Sequence, residues 1–136
     1  NKRENERTVR EQLRKESSMA AYAIAAKPKI EKALTTNPLI VLDGLYSWEE
    51  YTFLKKSLPN LMLLHIFASP ETRYNRLVQR EVRPLTPEQA NQRDVFEIEN
   101  LNKGGPIAMA NFVISNENTL QDLHAKLEKI LTKIQI

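Results

Sequence analysis

The sequence predicts an α/β domain with a mostly parallel sheet, and three observations carry that prediction. Apolar runs of strand length occur at 39–42, at 61–68 with only His65 interrupting, and at 112–114, as expected of strands covered on both faces. Helix-opening signals follow the runs closely, with Ser47 and Glu50 after the first, Ser69-Pro70 after the second, and Asn118 with Gln121 after the third. Strands alternating with helices are the order from which parallel sheets are built.

Residues 2–34 read as helical, with Val9, Leu13, Met19, Tyr22, Ala23 and Ala26 at roughly helical spacing. Ser17-Ser18 is a break point, and Pro28 is expected to kink or restart the segment. A turn at 35–38 leads into the first strand, which ends at Asp43-Gly44. The capping box of Ser47 with Glu50 opens a helix running to about Leu58. After the second strand, Pro70 stands at the first helical position of another helix, and Thr86-Pro87 repeats that signal for a third, running toward Asn102. Lys103-Gly-Gly-Pro106 is a strong breaker. Following the short third strand, Leu120, Leu123, Leu127, Ile130, Leu131 and Ile134 form one apolar stripe on a terminal helix.

The 136 residues, 41% hydrophobic and 27% charged, suit one soluble domain able to bury a core. Asn1 in place of methionine reads as a truncated or processed chain. Zero cysteines exclude disulfides and thiolate metal sites, and two histidines argue against structural zinc. No apolar run approaches the ~20 residues that cross a bilayer, which points to a cytoplasmic protein without a membrane partner. A net charge of +3 is only mildly basic. Placement says more: arginines cluster at 3–14 and 73–93 around a strand-end carboxylate, a pattern that suits a phosphorylated small molecule better than a duplex.

Asp43 lies where a buried strand gives way to a glycine turn, the place where ligands meet open α/β sheets. A carboxylate there can hold magnesium through water or orient a hydroxyl nucleophile. It can equally cap the turn or pair with a lysine. Arg73, Arg76 and Arg80, at i, i+3 and i+7, share a helix face, and Arg83 and Arg93 follow. Their planar forks match phosphate oxygens; the alternative is a surface helix salt-bridged to Glu71, Glu81 and Glu88. Asn116, just past the third strand, can present its amide to a base edge or make a turn. His65 reads as a structural histidine, and Trp48 and Tyr51 read as core. Arg7, Arg10 and Arg14 form a second arginine face, either a solvated helix surface or a contact for an acceptor phosphate.

Taken together, these segments resemble P-loop nucleotide kinases, in particular the dephospho-coenzyme-A kinases and a neighbouring group of nucleotide-kinase-like ATPases. The matching stretches are Val41-Leu-Asp43-Gly44-Leu-Tyr-Ser47, the run from His65 through Ser69-Pro70 to Arg80, Gln92-Arg93-Asp94, and Ala110 to Asn116. The resemblance covers about residue 7 to the end. It implies a three-layer α/β/α fold, with Asp43 near Mg2+ and the acceptor and with Asp43 and Arg80 as the catalytic residues. Arg80, Arg83 and Arg93 would belong to a lid at about 80–103 over the ATP phosphates, Arg73 and Arg76 would serve ATP binding, and Asn116 would border the adenine. Arg10, Arg14 and Tyr46 would touch the acceptor, although Tyr46 stands where the ATPase group tends to carry arginine.

One part of such a kinase is missing. A G-x-x-x-x-G-K-[ST] loop needs glycines for close backbone approach and a lysine for the phosphates, and the only glycines are Gly44, Gly104 and Gly105. In the resembled kinases the loop follows a first strand that lies between the strands matched by 39–43 and 61–67. Without that strand these two are expected to pair directly, to accept a strand from another chain and so form a homodimer, or to stay partly open. The implied function is phosphoryl transfer from ATP to a nucleotide-like or coenzyme-precursor hydroxyl, inactive in this fragment. The rivals are a non-catalytic nucleotide- or anion-binding module and a basic nucleic-acid-binding protein, the latter disfavoured because aromatics do not interleave with the basic residues.

Overall fold

The computed structural model describes residues 2–16 and 18–134, apart from the side chains of residues 2–7 and 10. The described chain runs α1 (Lys2–Glu16), α2 (Ala21–Leu34), α3 (Trp48–Ser57), β1 (Leu64–Phe67), α4 (Pro70–Gln79), α5 (Pro87–Leu101), α6 (Gly104–Ala108), β2 (Phe112–Ser115) and α7 (Leu120–Lys133). It divides into two compact units, one of residues 1–61 with 101–106 and the other of 62–100 with 107–136.

In the first unit, α2 and α3 pack around Ala23, Ile30 and Leu54, with Ala26, Leu45, Phe53, Leu58 and Leu61 completing the cluster. The helical region expected at 2–34 is two helices. Ser18 turns the chain between them: its carbonyl accepts from Ala21 N (3.0 Å) and its hydroxyl from Ala20 N (3.2 Å); Ser17 lies outside the described residues. Pro28 does not restart the segment, since α2 is continuous through it with the ring exposed. Proline brings no N–H to the helix, so the Ile24 carbonyl, at an exposed position, loses its donor four residues on.

The capping box forms as expected. Ser47 Oγ accepts from Glu50 N (3.1 Å), and Glu50 Oε2 accepts from both Ser47 N (3.1 Å) and Tyr46 N (3.0 Å). Ser47 is fully buried, and its hydroxyl donates to Met19 O (3.3 Å), tying the start of α3 to the turn before α2.

In the second unit β1 and β2 pair in parallel, Leu64 opposite Phe112 and Phe67 opposite Ser115. Helix α7 packs on β2, with Ile114 and Ile130 buried. The strand expected at 61–68 shortens to four residues because only these reach a partner. A larger correction concerns 39–43, which forms no strand. The described sheet is two-stranded, so the run has no ladder to hold it, and Leu39, Val41 (81% exposed) and Leu42 stand in solvent. The expected direct pairing of 39–43 with 61–67 does not form among the described residues: β1 pairs with β2 alone, and 39–43 lies outside any strand.

The terminal helix is capped one residue later than expected. Thr119 is in the extended conformation and its hydroxyl accepts from Asp122 N (3.2 Å), whereas the Asn118 amide donates to the Asp122 carboxylate (3.3 Å). Helix α5 stops where expected, but the Gly-Gly-Pro breaker itself makes the short α6.

Candidate functional site

Parallel pairing brings the carboxyl ends of β1 and β2 together, and α4 begins directly after one while the loop 116–119 follows the other. Ser69 caps α4, its hydroxyl accepting from Thr72 N (3.3 Å), and Pro70 fills a first-turn position that needs no N–H. The Glu117 carboxylate then crosses to this end of α4. It accepts from Ser69 N, from the Ser69 hydroxyl (3.2 Å) and from the Thr72 hydroxyl. The Thr72 bond, then the Ser69 N–H, hold this carboxyl below the usual glutamate range against an opposing desolvation, and the charge of Arg76 adds to the effect. Arg76 donates to the carbonyls on either side of Glu117, Asn116 O (2.6 Å) and Asn118 O (3.2 Å).

These contacts leave an open groove of about 320 Å³ lined by Arg76, Asn116, Asn118, Leu120 and Leu123. Its size is at the lower end of small-molecule sites, roughly 300–1,000 Å³. The half-buried Asn116 side-chain amide makes no hydrogen bond among the described residues. A polar edge reader beside two leucine side chains suits a flat, partly apolar ring.

The other arginines fan out from this groove. Arg73 forks onto Asp94 of α5, at 2.9 Å and 2.8 Å, and donates Nε to Ala68 O (3.1 Å). The Tyr74 hydroxyl donates to the same carboxylate at 2.9 Å. Desolvation, and then the bond to Asp94, push the Tyr74 phenol above its usual range. Arg80 is exposed and donates to Arg83 O (2.7 Å), with Arg83 itself in the left-handed region at φ 56°. Arg93 pairs with the buried Glu97 at 3.0 Å. Of the residues singled out for ATP binding, Arg76 and Asn116 therefore meet in one groove. Arg73, Arg80, Arg83 and Arg93 engage other partners within the same unit.

In the first unit Asp43 is exposed, ahead of Gly44 at φ +87°. Only glycine fits there, because a Cβ would also sit 2.8 Å from the Tyr46 ring. Lys103 Nζ lies 5.1 Å from the centroid of that ring. Arg14 stands over Tyr22 at 5.8 Å, and its Nε is buried with no hydrogen-bond partner among the described residues; the Arg10 side chain lies outside the described residues. Trp48 and Tyr51 meet at 5.3 Å with their rings tilted by 37°; Tyr51 is buried as expected of core, whereas Trp48, expected in the core, is exposed. His65 meets Phe67 edge-on along β1. Among the described residues no group of three or more acidic or histidine side chains gathers. A lone exposed carboxylate fits Mg2+ of the kind that keeps its waters and takes further oxygens from a phosphate, not a protein-caged ion.

Sequence reasoning missed Glu117, Asn118 and the Arg73–Asp94–Tyr74 network. Glu117 bonds to residues 45 and 48 positions away, and no local pattern carries that information. Asp94 had a usable signal, an acid in a helix that follows an arginine-rich one.

The chain aligns with a UPF0200 protein of Pyrococcus furiosus at 35% identity over 126 residues, 90% of this chain and 67% of the relative. A UPF0200 protein of Thermoplasma acidophilum is 34% identical over 123 residues (88% and 65%), and one of Methanocaldococcus jannaschii is 34% identical over 124 (90% and 62%). No family model matches the chain. The chain belongs to the UPF0200 family and spans about two thirds of the length of these curated relatives.

Proposed function

We propose that this chain is the larger part of an ATP-dependent small-molecule kinase of P-loop type, and that its second unit contributes the nucleobase end of the ATP site. The observation that carries the reading is the groove of Arg76, Asn116, Asn118, Leu120 and Leu123 at the carboxyl ends of two parallel strands, where open α/β sheets bind ligands. An asparagine amide can pair with both the donor and the acceptor on an adenine edge, and Leu120 and Leu123 offer apolar contact to its face.

In this reading the full-length protein has a three-layer fold with a further strand beside β1, and that segment brings the phosphate loop. Two features favour it. The run 39–42 is apolar yet exposed, and β1 exposes Leu64, Ile66 and Phe67 while pairing only with β2; both have the composition of interior strands. Arg80, Arg83 and Arg93 then neutralise the ATP phosphates, while Arg73 acts as a strut through Asp94, steadying the helix that carries Arg93. Asp43 would orient the acceptor hydroxyl and hold the magnesium ion, and Arg14, Arg10 and Tyr46 would meet the acceptor. Magnesium, when bound, supplies charge neutralisation on the transferring phosphoryl group.

The test is a titration of isotope-labelled chain with adenosine and with ATP, followed by amide resonances. Adenosine is expected to shift the Asn116 and Asn118 side-chain amides, and ATP to bind more tightly in a salt-sensitive way that Arg80→Ala removes. No shift of either amide at millimolar adenosine would overturn the base site. ATP affinity unchanged in Arg80→Ala would take Arg80 out of the phosphate role.

A further inference from the structure

We infer that Glu117 is a positioning residue for the groove: it and Arg76 clamp the tripeptide 116–118 onto α4, and the clamp sets the two asparagine amides at the spacing a base requires. The inference rests on the base-site reading and names a residue that reading does not use. Ser69, Thr72 and Arg76 fall at i, i+3 and i+7, one stripe along α4 and its cap, and all three bind this loop. The carboxylate of Glu117 takes the Ser69 N–H and two hydroxyls at the positive end of the helix. Further along the same stripe, Arg76 spans the carbonyls at 116 and 118.

The loop needs such a device. Between the end of β2 and the cap of α7 it has no ladder of its own beyond Asn116 N donating to Phe67 O (2.6 Å), and ordering each free residue costs about 1–2 kcal/mol. The bonds from this one stripe, all involving a charged partner, offset that cost. Asn118 is held further, since its Nδ2 donates to Asp122 and leaves the amide oxygen for a ligand. The side chain of Glu117 is engaged entirely with α4 and its cap, so it acts through its neighbours and does not touch the base.

The experiment compares the parent chain with Glu117→Gln, which keeps the shape, and Thr72→Val, which removes one hydroxyl and leaves every charge. Hydrogen exchange at the Asn116 amide, which donates to Phe67 O, is read with the affinities for adenosine and guanosine. If releasing the clamp leaves about one loop in ten competent, adenosine binding falls about tenfold, exchange at that amide speeds up, and the preference between the two nucleosides shrinks. The Ile114 amide, inside the β1–β2 ladder, keeps its protection. A role confined to stability would lower the melting temperature and leave the nucleoside ratio untouched. A parent that binds adenosine, with both variants unchanged in exchange and in ratio, overturns the positioning role alone. A parent that binds neither nucleoside removes the base site and the role together.

Discussion

Replacing Ser47 by alanine tests how the turn that carries Asp43 is held. Ser47 is fully buried and its hydroxyl has two duties, accepting from Glu50 N and donating to Met19 O. Loss of a serine cap costs about 0.5–2 kcal/mol. The bond to Met19 contributes about 0.5–1.5 kcal/mol more, so Ser47→Ala is expected to destabilise the first unit by about 1–3.5 kcal/mol. Glu50→Gln makes a sharp comparison. A single oxygen, Glu50 Oε2, accepts from both Tyr46 N and Ser47 N, and a glutamine oxygen can do the same. That variant loses only the charge near the helix N-terminus, about 0.3–1 kcal/mol. Urea unfolding followed by the fluorescence of Trp48, the only tryptophan and the first residue of α3, reads both variants in the right unit. Ser47→Ala costing less than about 0.5 kcal/mol, or less than Glu50→Gln, would refute the argument that one hydroxyl both caps the helix and makes a buried bond.

Gly44→Ala places a Cβ on a residue at φ +87° and against the Tyr46 ring, and is expected to cost about 1–2 kcal/mol in the same assay. Asp94→Asn should bring the Tyr74 phenol down toward its ordinary value while leaving the contribution of desolvation, seen in an ultraviolet pH titration. Glu117 has a depressed carboxyl, so the unfolded chain binds more protons than the folded one as acid is added; its stabilising contribution is present above the ordinary glutamate range and lost as pH falls through the lowered value. Glu117→Gln should flatten that part of the acid unfolding curve, followed by the circular dichroism of the helices. On the proposed kinase reading, Asp43→Asn in the full-length protein, at an exposed position outside any helix or strand, should fold as the parent does and lose the proposed magnesium-dependent phosphotransfer; turnover near the parental rate would return Asp43 to a structural turn.

Local signals in the chain read correctly where they involve neighbours. The Ser47–Glu50 box, the Ser69-Pro70 start of α4 and the Thr86-Pro87 start of α5 each form within a few residues, and Thr86 even shares a reciprocal bond with Gln89, at 3.0 Å and 3.2 Å. The run 39–42 departs from its expected strand for the opposite reason. An apolar run specifies what it would bury, but a strand exists only through a partner, and none of the described residues supplies one.

The same division runs through the site. Composition and order along the chain determined its α/β character, the helix starts, the arginine-rich α4 and the placing of Asn116 just past a strand, because propensity, capping and hydrophobic period act over a handful of residues. Tertiary structure alone decided which way each arginine of this segment points. Arg73 goes to Asp94, Arg76 to the carbonyls of 116 and 118, and Arg80 to the turn at Arg83, since a guanidinium takes whichever acceptors the packing brings within reach. It also decided that Glu117 closes the end of α4, a bond between residues 48 apart that depends on β1 and β2 lying parallel and in register.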